Sequence, residues 1–216
     1  MQTAIIGLGN IGATIAAGLT AGGVDVIVSE RNLDKAQQLA TKLGPRAKAM
    51  PIADAVKAAD IVVLAIWFDA TKEMLAADRN AFSGKIVVDP SNPIAPDGQG
   101  GFKKIIPEDQ SSGVIIAGML PSDAELVKAF GTLGAQSLAS AGNRKPEPAV
   151  LFYATDHPEA GQAVEKLILA SGFSPVNIGG IDQSIRIEVG GDLHEFGKLG
   201  KLVSASEAEL VLEGRT

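Results

Sequence analysis

The chain has no cysteine, so disulfides, thiolate nucleophiles and cysteine-held metals or iron–sulfur clusters are excluded, and no metal is expected. A cytoplasmic address fits that composition. Histidine is almost as scarce, with only His157 and His194. His157, in Asp156-His157-Pro158-Glu159, reads as a surface residue beside a helix start, and His194 as a solvated loop residue. Aromatic residues make up 4% of the chain: one tryptophan, one tyrosine and seven phenylalanines. Basic residues are outnumbered, 19 to 25, and the net charge is -6. Nucleic acid is therefore not expected as the main partner, since that would need a clustered basic face with stacking aromatics. The longest apolar run, Ile61 to Phe68, falls far short of the ~20 residues that cross a bilayer, and no basic leader precedes the first strand pattern. Neither membrane insertion nor secretion is expected.

Hydrophobic residues make up 46% of the 216, enough for a full core. Thr3–Ile6, Val24–Val28, Ile61–Ile66 and Ile86–Val88 are short apolar runs that read as strands buried on both faces, with helices between them. A short strand over Arg46–Met50 completes a βαβαβ half, continued by a helix at Ile52–Ala59. The second helix, Leu33 to Leu43, is stopped by Gly44-Pro45. From Asp89 to Gly101 the proline and glycine content predicts a long loop at the carboxyl edge of the sheet. Beyond it, a helix is expected around Ser111–Met119, strands near Leu126–Phe130, Val150–Ala154 and Pro175–Ile178, and a helix over Pro158–Ala170. The pattern is α/β: a Rossmann-type doubly wound, mostly parallel sheet over residues 1–140, with a small α/β extension over 141–216 packed on it.

Gly7-Leu8-Gly9-Asn10-Ile11-Gly12 follows the first strand directly and opens the first helix. In that context Gly7 permits the tight turn, Gly9 lets a pyrophosphate approach the backbone, and Gly12 lets helix and strand close up. Backbone amides and the helix dipole would hold the anion. At the end of the second strand, where an adenosine ribose is read, stand Ser29, Glu30, Arg31 and, one turn on, Lys35. Glu30 would accept from a ribose 2'-hydroxyl and favours NAD; Arg31 and Lys35 could clamp a 2'-phosphate and favour NADP. At an effective dielectric of 20, like charges ~4 Å apart repel by roughly 4 kcal/mol, so Glu30 must be turned aside or neutralised if a phosphate binds. Asp69, Asp89 and Ser91 lie near strand ends, with Asp89 placed to orient the following loop and Asn92 to bind a carboxamide.

With Ala59-Asp60-Ile61-Val62-Val63-Leu64-Ala65, Lys85-Ile86-Val87-Val88-Asp89-Pro90-Ser91-Asn92-Pro93 and Leu126-Val127-Lys128-Ala129-Phe130 added, the sequence resembles the NADPH-dependent deazaflavin coenzyme reductases. It also resembles the related oxidoreductase domains of six-transmembrane ferric metalloreductases. The resemblance implies an NADP-dependent oxidoreductase that passes a hydride to a flavin-like or deazaflavin acceptor, with Arg31 and Lys35 on the 2'-phosphate. It places Ala65, Ile66 and Trp67 beside the nicotinamide, and Trp67, Gly131 and Thr132 in the substrate pocket. Two departures stand out. Glu30 replaces a serine, and Gly131 aligns with a histidine near the hydride acceptor, so that the site would be enlarged and short of a donor. A reductase of small carbonyls or imines and an NAD(P)-binding redox sensor are the alternatives. A homodimer is expected from the apolar run Val203 to Leu212.

Overall fold

The structure is a computed structural model and describes residues 1–214. Its first half alternates β1 (Thr3–Ile6), α1 (Asn10–Ala21), β2 (Val26–Ser29), α2 (Leu33–Leu43), β3 (Ala47–Ala49), α3 (Ile52–Ala58), β4 (Ile61–Leu64), α4 (Phe68–Asp78) and β5 (Ile86–Asp89). The second half holds β6 (Ile94–Pro96), β7 (Phe102–Lys104), α5 (Ser112–Met119), β8 (Glu125–Lys128), α6 (Ala135–Ser140), β9 (Val150–Tyr153), α7 (Pro158–Ala170), β10 (Ser174–Asn177) and α8 (Ala205–Leu212). Six strands form one parallel sheet in the order β3-β2-β1-β4-β5-β8, which is the doubly wound Rossmann arrangement.

The apolar runs become strands because each must fill two cores at once. Alternate side chains point to opposite faces of a strand. Ile5, Val28, Val63, Val88 and Val127 meet α1, α2 and α7 on one side. Ala4, Ile6, Ile27, Val62, Leu64, Val87 and Leu126 meet α3, α4 and α5 on the other. The first of these cores also takes in Leu138, Ala141 and Leu151, so it runs unbroken across residue 140. The helix boundaries have local causes: the Asn32 side chain accepts from the amides of Asp34 and Lys35 to start α2, and Gly44, at φ 86°, ends it.

Past the sheet's last strand the chain adds a small second layer. β9 and β10 pair in parallel, and β9 touches the main sheet through reciprocal Lys128–Ala154 backbone bonds of 2.9 and 3.0 Å. Val150, Phe152 and Ala154 cover Ile187, Leu193, Val203 and Ala208. The apolar run at Val203 is thus only partly covered by its own domain, for Leu210 and Leu212 stay exposed. Among the described residues no helix is long and apolar enough to cross a membrane.

Two expectations need correction. The stretch after Asp89 is a β6–β7 hairpin and not a plain loop: the Asp97 carboxylate accepts from the amides of Gln99 and Gly101 and closes its turn. α4 and α6 stand where no helix was expected. α4 buries only Phe68, Thr71 and Leu75, too thin a stripe to show as a clear period.

Candidate active site

The carboxyl ends of β1, β4, β5 and β8 open into one cleft, with a cavity of about 450 Å³. In an open α/β sheet this is where ligands gather, because the strand order reverses beside β1. Gly9, Asn10 and Ile11 form one wall, Ala65 to Trp67 a second, Pro90 to Asn92 the floor, and Leu133 to Ala135 the far side. Ile94 and Phe102 of the hairpin, with Val189, His194 and Phe196 of the C-terminal segment, complete the lining.

The glycine turn can be tested for a dinucleotide by asking what each glycine is for. A Cβ on Gly12 would lie 1.9 Å from the Gly7 carbonyl oxygen, and one on Gly7, whose φ is +90°, would lie 2.4 Å from Ile66. Those two are required by the fold itself. A Cβ on Gly9 would meet no protein atom within 4 Å. The room beside Gly9 therefore serves nothing inside the protein and suits the close approach of a pyrophosphate. α1 begins there with no side-chain cap, which leaves its first-turn amides for an anion.

On the adenosine side, the Ser29 carbonyl accepts from the Gly7 amide at 2.8 Å, which ties the end of β2 to the glycine turn. The Ser29 hydroxyl, however, is buried and donates to the Met50 carbonyl at 2.7 Å, so that side chain is not free for a ribose. Arg31 and Lys35 are exposed, Glu30 is half-buried, and none of the three side chains has a hydrogen bond or ion pair among the described residues. Both cations are thus free to take a phosphate.

Several other expected site residues stand elsewhere than the sequence suggested. Gly131 does not enlarge the pocket: a Cβ there would lie 2.6 Å from the Pro90 carbonyl oxygen, so backbone already fills the space. Thr132 is buried behind the wall with its hydroxyl unpartnered. Asn92 lines the cleft, yet its amide is engaged internally, accepting from the Val189 amide at 2.7 Å and donating to the Gly131 carbonyl at 3.0 Å. Asp89 does orient the loop, accepting from the Ser91 amide at 2.8 Å. His157 caps α7 by position, part exposed and 3.9 Å from Glu125.

His194 is the largest correction. It is not solvated but 1% exposed, with Nε2 donating to the Gly131 carbonyl at 3.1 Å and Nδ1 accepting from the Phe196 amide at 2.9 Å. Tertiary contact supplies beside Gly131 the imidazole that the linear sequence lacks there. Burial lowers its pKa from the ordinary 6.5, outweighing the Gly131 carbonyl and the Glu195 carboxylate, which pull the other way. The sign follows: the neutral ring is the native form, so its contribution is complete above the unfolded value and is lost as pH falls through the lowered folded one. We expect the thermal midpoint to fall on acidification from about pH 7 to about pH 5 and to fall less in His194→Gln. Equal acid sensitivity in the two proteins would contradict this.

Fold and cleft together define a Rossmann-type NAD(P)-dependent oxidoreductase. Residues 2–93 match the family described as NADP oxidoreductase, coenzyme F420-dependent. A hypothetical protein from Sinorhizobium meliloti is 30% identical, with a TM-score of 0.82 over 94% of this chain and 95% of that one. A candidate F420-dependent NADP reductase from an Arthrobacter species is 23% identical, with a TM-score of 0.73 over 85% and 86%. A pyrroline-5-carboxylate reductase from Coxiella burnetii shares the fold at 16% identity, with a TM-score of 0.65 over 98% of this chain and 75% of that one. No curated protein matches the chain.

Proposed function

We propose that the protein transfers a hydride between NADPH and a flat conjugated acceptor of the flavin or deazaflavin type. The observation that carries this reading is the placement of aromatic side chains. Of nine aromatic residues, the three most exposed, Trp67, Phe102 and Phe196 at 56%, 59% and 67%, all line this one cleft. Trp67 and Phe102 lie 6.2 Å apart, centroid to centroid. Exposed rings converging on a cavity suit a planar guest, since each offers apolar area with few rotamers to freeze.

The chemistry of the lining agrees. It contains no carboxylate, lysine or tyrosine among the described residues, and both nitrogens of its one imidazole are engaged. Reducing a small carbonyl or imine calls for a proton donor at the heteroatom, whereas a conjugated ring system disperses the incoming charge itself. NADPH, when bound, supplies the hydride. The chain's part is to bind and orient: the α1 amides for the pyrophosphate, Arg31 and Lys35 for the 2'-phosphate, and apolar walls that keep water from the facing rings.

The test is oxidation of NADPH and of NADH by riboflavin, by a deazaflavin and by a small cyclic imine, with wild type, Trp67→Ala and Arg31→Ala. Reduction of a flavin-type ring, with acceptor KM raised roughly tenfold in Trp67→Ala, is expected, the factor corresponding to ~1.4 kcal/mol of ring contact. Arg31→Ala should erase a preference for NADPH over NADH. Turnover with the imine alone would sink the proposal, and nucleotide binding with no turnover of any acceptor would favour a sensor.

A further inference from the structure

Beneath the cleft floor lies a charged cluster with no part in the chemistry above. Asp89 and Lys128 end the neighbouring strands β5 and β8 and are in register. With Glu188 they are almost wholly buried, at 0%, 2% and 2%. The Lys128 ammonium donates to Asp89 Oδ2 at 2.7 Å, to Ser112 Oγ at 2.8 Å and to the Ser91 carbonyl. The Glu188 carboxylate lies 3.9 Å from that ammonium and accepts from Ser112 Oγ at 2.8 Å and from the Ser112 and Gly113 amides at 3.1 and 3.0 Å. Buried charges are tolerated only when paired and hydrogen-bonded, so each member requires the others.

The cluster fastens the cleft at two places. The Ser91 backbone is gripped at both ends, its amide by Asp89 and its carbonyl by Lys128. Glu188 holds the residue at which the C-terminal segment enters the site. From there Val189 donates to Asn92, His194 to the Gly131 carbonyl, and the Glu195 carboxylate takes the Gly134 amide at 2.7 Å and the Ser137 hydroxyl at the start of α6. Residues 189–196 thus form a strap pinned at each end by a carboxylate on the first turn of a helix, with Val189, His194 and Phe196 facing the cavity. The glycine turn and the Glu30–Lys35 region make none of these contacts.

We infer that Glu188, through Lys128 and Asp89, is a positioning residue for the acceptor half of the site: it holds the strap in place and leaves nucleotide binding alone. The inference rests on the reading that the far side of the cleft takes the acceptor. Glu188→Gln keeps size and an acceptor oxygen but removes the charge opposite Lys128. In the free full-length protein, amide hydrogen exchange over 189–196 should quicken at least tenfold while β1 and β4 exchange as before. The Kd for NADPH should stay within twofold, and the KM for riboflavin should rise at least tenfold with kcat changing less. Unchanged exchange in the strap overturns the inference, as does equal acceleration throughout the sheet. If the strap loosens and riboflavin is not an acceptor for wild type, the anchor stands and the flavin reading falls. If riboflavin is reduced and the strap is unmoved, the reverse holds. Should Glu188→Gln not fold, Glu195→Gln at the other pin is read in the same way.

Discussion

Gly9→Val is expected to fold as stably as the parent and to bind NADPH at least about a hundredfold more weakly, a loss of ~2.7 kcal/mol. Gly9 has φ -69° and ψ -167°, extended backbone open to any residue, and a Cβ there meets no protein atom. Stability should change by no more than about 0.5 kcal/mol, as at other open surface positions. The cost falls on the ligand, because the new side chain stands where a pyrophosphate would lie against the α1 amides. Nicotinamide fluorescence on titration and a thermal melt decide it. Undiminished NADPH affinity would mean that the dinucleotide does not cross Gly9.

Gly12→Ala should do the opposite. Its Cβ would be placed 1.9 Å from the Gly7 carbonyl oxygen and 3.0 Å from the Ala65 Cβ. The first of these atoms is backbone and cannot swing away, so α1 must move off β1. Overpacking of this kind costs roughly 3 kcal/mol, and the ~1 kcal/mol gained in helix propensity cannot offset it. For a chain of this size the net loss of roughly 2 kcal/mol is a drop in Tm on the order of 4–8 °C. NADPH binding would weaken as a consequence of the displaced turn. A melt like that of the parent would show that the turn relaxes freely, and the distinction between a glycine kept for the fold and one kept for the ligand would collapse.

The two histidines, the charged residues and the hairpin show where sequence reading stops. His157 and His194 both read as surface residues in the linear chain, yet one is half-exposed and the other sealed. What separates them is the Gly131 carbonyl, 63 residues away from His194. Nothing in the linear chain marks Lys128 or Glu188 as buried, and the pairing of Lys128 with Asp89 spans 39 residues. The β6–β7 hairpin is obscured because proline and glycine signal a turn without saying that strands flank it. By contrast, β1, α2 and α7 were legible to the residue. Strands buried on both faces need uninterrupted apolar residues, and helix ends need particular caps, both of which are local requirements.

The sequence by itself determined the doubly wound sheet, the glycine turn and the cations at the end of β2, because burial period and turn chemistry are written in neighbouring residues. Only the tertiary structure decided that Gly9 alone of the three glycines is spare, that Gly131 opens no space, and that His194 and Glu188 are buried at the cleft. Each of those depends on an atom brought close by folding from a distant part of the chain, and the free energy of burying a polar group is set by such partners and not by its neighbours in sequence.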